Sequence, residues 1–328
     1  MSEDGLAAAM DRAAQVLGAA DRVALACHLN PDPDAIGSML GLAGYLVSRG
    51  SSVVCSWGNQ PLAVPPWVSA LGGEEWIVEA KDFPEAPGVM VALDTASADR
   101  LGVLLANAER AAELIVLDHH RTNPGFGSIF VLDPSVSSTA ELAFRLISRM
   151  GGELPDRAAA CLYAGILTDT GRFQYEAVTP ETLLVASELR RHAFDHAALG
   201  RALFEDGSVA YLRALSVALG RLELVPEASF VWTYLTQSDL AHTGASMPET
   251  DDLIDVVRVA READVACVLK QQWDGRFKVS LRSRGGTDVA AIALARGGGG
   301  HRLASGYTSQ TGLQESVQDI LHALDGRP

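Results

Sequence analysis

Between residues 22 and 190 the chain alternates short apolar runs with stretches of helical periodicity, and this alternation constrains the fold more than any other feature. Residues 23–27, 52–56, 89–93 and 114–117 are rich in Val, Ile or Leu and read as strands. Each run is continuously apolar, the pattern of a strand covered on both faces. Residues 35–48, 138–150, 155–168 and 180–191 read as helices, the last two opening on a Pro, which the first turn tolerates. Strands and helices in this order predict an α/β fold, a mostly parallel sheet flanked by helices.

The texture changes at 192–220, which is helical with mixed charge. Beyond it, residues 221–225, 229–235, 265–273 and 276–282 read as strands, and 288–295 and 313–324 as helices. Trp273-Asp274-Gly275-Arg276 is a hairpin turn, because Asp-Gly supplies positive φ. The expected organisation is an α/β domain over residues 1–191, a helical connector over 192–220 and a smaller α+β domain over 221–328; a length of 328 residues suits two domains. Cys27, Cys55, Cys161 and Cys267 are widely spaced in apolar surroundings, as buried reduced thiols are. The N-terminus is acidic, unlike a secretory signal, and the apolar runs are about half of a ~20-residue membrane span. A cytoplasmic protein without membrane contact is expected. The net charge of −15, from 26 basic and 41 acidic residues, argues against binding long nucleic acid through its phosphates.

Four segments put acids or histidines where a strand or helix runs out, the place where ligands of open α/β sheets collect. The first, His28-Leu29-Asn30-Pro31-Asp32-Pro33-Asp34, links a strand to a helix. One such Asp is ordinarily a helix cap or an Asx turn, but that reading leaves His28 unexplained. The second is Asp94 after a strand, and the third is Asp118-His119-His120. The fourth is Asp169, at the end of an apolar helix, where the helix dipole opposes a carboxylate and asks for a compensating cation. His28, Asp32, Asp34, Asp94, His119 and Asp169 together offer four carboxylates and two imidazoles. Clustered without metal, those acids would repel and some would protonate. Two divalent cations cancel the charge, and the oxygen-rich mix with imidazole leans toward Mn²⁺, with Mg²⁺, Co²⁺ and Fe²⁺ as alternatives. His192 and His196 have the i, i+4 spacing of a helix-face metal pair, but no third ligand accompanies them.

These segments, in this order, resemble the DHH phosphoesterase superfamily, named for the triplet Asp118-His119-His120 seen here. Gly297-Gly298-Gly299-Gly300-His301 is similar to the glycine-rich signature of the DHH-associated domain, with Ser305 where that family usually has Ala. Within the superfamily the chain looks like the NrnA-type oligoribonuclease and pAp phosphatase group. The resemblance implies one cation on His28, Asp32 and Asp94, and a second on Asp34, Asp94, His119 and Asp169. It also implies Asp118 as an orienting partner and His120 as the group facing the substrate phosphate. The implied reaction is two-metal attack of water on phosphorus in nano-RNA, pApA, cyclic di-AMP or pAp, releasing nucleoside 5′-monophosphates. Family II-like pyrophosphatase and RecJ-like single-strand exonuclease activities are the alternatives.

Residues 276–302 carry six basic residues against Asp288 alone. Glycines 297–300 can present backbone N–H groups to an anion. Arg282, Ser283, Gly299, Gly300 and His301 are therefore expected to contact a terminal phosphate or a base, and a patch this small suits a small nucleotide or short oligonucleotide. The acidic charge does not exclude the homodimer that related proteins often form.

Overall fold

The computed structural model of the chain describes residues 3–325. The four apolar runs form strands β1 (Arg22–Cys27), β2 (Ser52–Trp57), β3 (Val89–Leu93) and β4 (Glu113–Asp118), joined by β5 (Ile129–Leu132). All pair in parallel, in the order β2-β1-β3-β4-β5. The chain leaves β1 toward β2 and returns on the other side as β3, so the strand order reverses between β1 and β3. The carboxyl ends of those two strands border the crevice that such a reversal opens.

Successive strand residues feed two separate cores, as a sheet covered on both faces requires. Leu25, Val91, Leu93, Ile115 and Leu117 face one core with helices α1 (Glu3–Ala19) and α2 (Pro33–Ser48). Ala24, Ala26, Met90, Ala92 and Val116 face the other, with Leu101 and Leu104 of a 3₁₀ segment (Ala98–Leu104) and Ala108 of α3 (Leu105–Glu109). Also packed on the first core are α4 (Thr139–Met150), α5 (Asp156–Asp169), α6 (Pro180–Leu189) and α7 (His196–Phe204).

Helix α2 is buried over most of its length, and its crossing with α5 is too close for side chains. A Cβ on Gly37 would lie 2.5 Å from the Cys161 carbonyl, and one on Gly165 would lie 2.6 Å from Asp34 Oδ1. Glycine at both positions brings the start of α2 against the end of α5, and so Asp34 toward Asp169.

Helix α1 and strand β5 are additions to the expected elements. Alanines fill the α1 pattern around Leu6, Met10, Ala13 and Leu17, which weakens its periodicity. Strand β5 has four residues, and its pairing with β4 gives it its conformation. The histidine pair is corrected: α6 ends at Leu189 and α7 begins at His196, so no helix face carries both. His192 Nδ1 lies 3.2 Å from Asp156 Oδ1, and His196 packs edge-on against Tyr163.

A second unit begins at Gly207. It contains α8 (Val209–Gly220), β6 (Glu223–Val225), β7 (Phe230–Leu235), α9 (Gln237–Thr243), α10 (Leu253–Val257), β8 (Val265–Gln271), β9 (Phe277–Ser283), α11 (Val289–Leu294), β10 (Gly299–His301), β11 (Ala304–Ser309) and α12 (Leu313–Asp325). Its sheet runs β10-β11-β9-β8-β7-β6, with β7 and β8 parallel and the other neighbours antiparallel. The Asp-Gly turn joins β8 to β9 as expected, but β8 stops at Gln271 and Trp273 stands 91% exposed on the turn. The glycine run ends in a strand: Gly300 pairs with Ser305, and a Cβ there would lie 2.5 Å from the Ala304 carbonyl. All four cysteines are buried and free. Among the described residues no helix is long and apolar enough to cross a membrane.

Candidate metal centre

Each of the four acidic segments sits where an element of the first unit ends. His28 follows β1, and Asp32 caps α2, its Oδ1 accepting from Asp34 N (3.1 Å) and Ala35 N (3.0 Å). Capping thus occupies one oxygen of Asp32, and Oδ2 faces His28 Nε2 at 3.8 Å. Asp34 is buried in the first turn of α2, and its carboxylate accepts from the first amides of α4, Thr139 N (2.7 Å) and Ala140 N (2.9 Å). A helix N-terminus is a favourable partner for a carboxylate. Asp94 follows β3 with φ +53°, a left-handed conformation that costs a non-glycine residue about 1–3 kcal/mol. Asp94 N donates to Leu117 O of β4 (3.0 Å), and Asp94 Oδ1 accepts from Thr139 Oγ1 (2.8 Å). Asp118 ends β4, followed by His119 and His120, and Asp169 ends α5.

These side chains converge. His28 Nε2 lies 3.5 Å from Asp94 Oδ2, and His119 Nε2 lies 3.7 Å from Asp94 Oδ1 and 3.5 Å from Asp169 Oδ2. Such separations exceed a normal hydrogen bond. They approach the spacing, on the order of 3–3.5 Å, of two donors each about 2.1 Å from a shared cation. His28, Asp32 and Asp94 form one group whose donor atoms lie within 4.8 Å of one another; Asp34, His119 and Asp169 form a second, and Asp94, His119 and His120 a third. Asp94 is therefore common to two groups, beside both histidine segments. The donor set, imidazole mixed with carboxylate, fits a divalent transition ion.

The electrostatics carry the same signature. Burial and the charges of Asp94, Asp169 and Asp32 push the Asp34 carboxyl well up, and burial pushes Asp169 up to about 7. Burial acts to lower His28, but its close approach to the carboxylates of Asp32 and Asp94 prevails and raises it to about 10. His120 is likewise raised to about 9, its burial outweighed by Asp118 and Asp94. Asp94, although buried, is held well below the carboxylate range by the surrounding imidazoles. Without cations this cluster holds protons in their place.

His120 is oriented differently from His119. Its Nδ1 donates to Asp118 Oδ1 at 2.7 Å, and Asp118, fully buried, also accepts from Asn123 Nδ2 at 2.6 Å. Asn123 and Thr139 join the site without being among the ligands that the sequence predicts. Both lie in loop or helix-start positions whose hydrogen bonds depend on a partner far along the chain. A polar Ser137-Ser138-Thr139 run ahead of a helix was the signal for Thr139, and it reads equally as a cap.

In the second unit, Lys278, Ser280 and Arg282 do share one face of β9. That face is not free cationic surface. Arg276 pairs with Asp274, Lys278 with Asp251 (3.0 Å), Arg282 with Asp255 (3.5 Å) and Arg296 with Asp319 (2.5 Å). Ser283 is buried, its Oγ accepting from Gly285 N and Thr287 N within the turn after β9. Gly299, Gly300 and His301 form β10, where Gly300 and His301 are exposed. The charge concentrated in residues 276–302 is thus met largely by acids outside that window.

Comparison with known proteins agrees with this architecture. The profile described as "DHH family, N-terminal domain" matches residues 22–166, and the "DHHA1 domain" profile matches residues 228–327. The chain is 34% identical over 315 residues to the bifunctional oligoribonuclease and PAP phosphatase NrnA of Thermus thermophilus, covering 95% of this chain and 92% of that one. It is 32% identical over 310 residues to the probable bifunctional oligoribonuclease and PAP phosphatase NrnA of Streptococcus mutans, covering 93% and 94%. The crystal structure of an exopolyphosphatase-related protein from Bacteroides fragilis superposes with a TM-score of 0.90 at 27% identity, covering 97% and 96%.

Proposed function

The chain belongs to the DHH family, as an NrnA-type member carrying a DHHA1 domain, and from that premise we propose that it is a phosphoesterase hydrolysing short nucleotides to nucleoside 5′-monophosphates. The observation that carries this reading is the pair of donor groups that adjoin through Asp94 at the sheet's switch point. His28, Asp32 and Asp94 would hold one divalent cation, and Asp34, Asp94, His119 and Asp169 a second. Mn²⁺ is the proposed ion, since carboxylates outnumber imidazoles in the set. Bound there, the cations supply Lewis-acid activation of the attacking water and neutralise charge gathering on the phosphoryl group.

The chain's own groups do the rest. Thr139 and the start of α4 hold Asp34 and Asp94 in place. Asp118, itself fixed by Asn123, takes the Nδ1 hydrogen bond of His120. This orients the ring and favours its protonated form, so that Nε2 can give a proton to the leaving oxygen. In the second unit the exposed Gly300 and His301, with Gly299 beside them, are the proposed phosphate contacts; Arg282 is taken by Asp255 and Ser283 by the turn after β9. Substrates are short because the protein carries a net charge of −15 and its basic strand face is already paired with acids. Four free, buried cysteines fit a reducing cytoplasm.

The test is a kcat/KM panel over pAp, pApA, cyclic di-AMP and RNAs of two to seven nucleotides, with Mn²⁺ and after chelation. Activity on at least one small substrate, abolished by EDTA and restored by Mn²⁺, is expected. Full turnover in excess EDTA would end the two-cation reading, and phosphate release from pyrophosphate alone would replace the substrate class.

A further inference from the structure

Arg100 lies in the 3₁₀ segment that follows Asp94, and its main chain is pinned to the first histidine loop. Leu29 N donates to Arg100 O at 2.8 Å, and Arg100 N donates to Ser97 O at 3.1 Å. The side chain is exposed, yet its guanidinium lies against the site: Nη2 is 3.0 Å from His28 Nδ1 and 3.4 Å from Leu29 O. The opposite edge of that imidazole, Nε2, faces Asp32 and Asp94. One ring width therefore separates the guanidinium from the donor cluster.

Arg12, Arg110, Arg145, Arg149 and Arg157, in the same unit, each meet a carboxylate, whereas Arg172 and Arg190 lie over the rings of Phe204 and Phe194. Among the described residues Arg100 pairs with no carboxylate, although acids crowd the other side of His28. His28 Nδ1 also lies 2.8 Å from Leu29 O, to which the protonated ring donates; among the described residues Nε and Nη1 of Arg100 have no hydrogen bond, which leaves at least three of the five N–H donors of an arginine unused. A guanidinium fork matches two oxygens of one phosphoryl group. Beside donors that are otherwise anionic or imidazole, it is a protein-borne cation placed to receive one.

We infer that Arg100 is a substrate ligand that grips the non-bridging oxygens of the phosphoryl group under attack. This rests on the phosphoesterase reading and adds to it a contact from the catalytic unit itself. The experiment compares wild type with Arg100→Gln and Arg100→Lys, as full-length protein with Mn²⁺. Three quantities are measured: kcat/KM for pAp and pApA, calorimetric affinity of the Mn²⁺-loaded protein for inorganic phosphate, and Mn²⁺ affinity by electron paramagnetic resonance. For Arg100→Gln, losing a charge-assisted pair predicts a drop of about 10- to 100-fold in both kcat/KM and phosphate affinity, with Mn²⁺ affinity within about threefold. Arg100→Lys recovers part of the loss, since it restores charge without the fork. Unchanged phosphate affinity and kcat/KM overturn the inference. So does a fall in Mn²⁺ affinity that matches the fall in activity, which makes Arg100 a support for His28. If wild type hydrolyses neither substrate, the phosphoesterase reading fails, and the phosphate-affinity arm alone still decides Arg100.

Discussion

The two units treat concentrated charge in opposite ways. In the first, Asp32, Asp94 and Asp169 face imidazoles at separations of 3.5–3.8 Å that make no hydrogen bond, with Asp34 buried beside them. In the second, the basic residues of β9 and its flanks are met by Asp251, Asp255, Asp274 and Asp319. A local charge excess in sequence is therefore weak evidence of a binding site until its spatial partners are known. An excess that stays uncompensated in three dimensions is strong evidence, because the protein bears its cost only where a ligand relieves it.

The sharpest way to break this contrast is Asp169→Ala. It should lower kcat by more than the roughly 10- to 100-fold that outer partners of a metal are worth, while nucleotide affinity, measured calorimetrically, changes little. A variant that keeps wild-type turnover removes Asp169 from the centre. Thr139→Val deletes the hydroxyl that holds Asp94 but keeps the amide that holds Asp34. Mn²⁺ affinity should fall about 10- to 100-fold, with the fold intact by circular dichroism, and Thr139→Ser should restore most of it.

The metal-free first unit should lose stability as pH rises. Asp169 is raised to about 7 and His28 to about 10, so the native state holds more protons than the unfolded state from about pH 4 to 10. Melting curves in EDTA should shift down between pH 5 and 9. Mn²⁺ should reverse the trend, because loading expels those protons. A metal-free melting temperature that climbs over this range contradicts the assignment.

The second unit should respond as paired charge does. Lys270 is 1% exposed and its ammonium rests on Asp251, whose carboxyl is held low by Lys270 and Lys278 despite partial burial. Asp251→Asn should cost about 1–3 kcal/mol in denaturant unfolding, the effect of stranding a buried charge next to a half-exposed partner. Arg276→Ala, which breaks a solvent-exposed pair, should leave the unfolding midpoint essentially unchanged. Reversal of that order would show the β9 face to be under less electrostatic constraint than its geometry implies.

Much of the fold was legible because its information is local. Apolar strands such as residues 89–93 need covering on both faces, and Pro and Asp-Gly punctuate helices and turns wherever they occur. Helix α1 was not legible, since alanine carries little hydrophobic contrast, and neither was β5, whose four residues acquire their conformation from β4. At the centre, residue type and position were legible at the ends of elements. His28, Asp94 and Asp118 each follow or end a strand of one parallel sheet, which carries such residues to one edge whatever the loops between them.

Sequence by itself thus determined a parallel sheet with acids and histidines at its carboxyl edge. Tertiary structure alone decided which of them share neighbours and which charges are cancelled. The close glycine crossing of α2 on α5 brings Asp34 to Asp169, and Thr139 holds Asp34 and Asp94 from over 40 residues away. The acids that neutralise β9 come from segments that a window around it does not contain. The physical reason is range: periodicity and turn chemistry act between near neighbours in the chain. Coulombic pairing and hydrogen bonding act between neighbours in space, and only the fold says who those are.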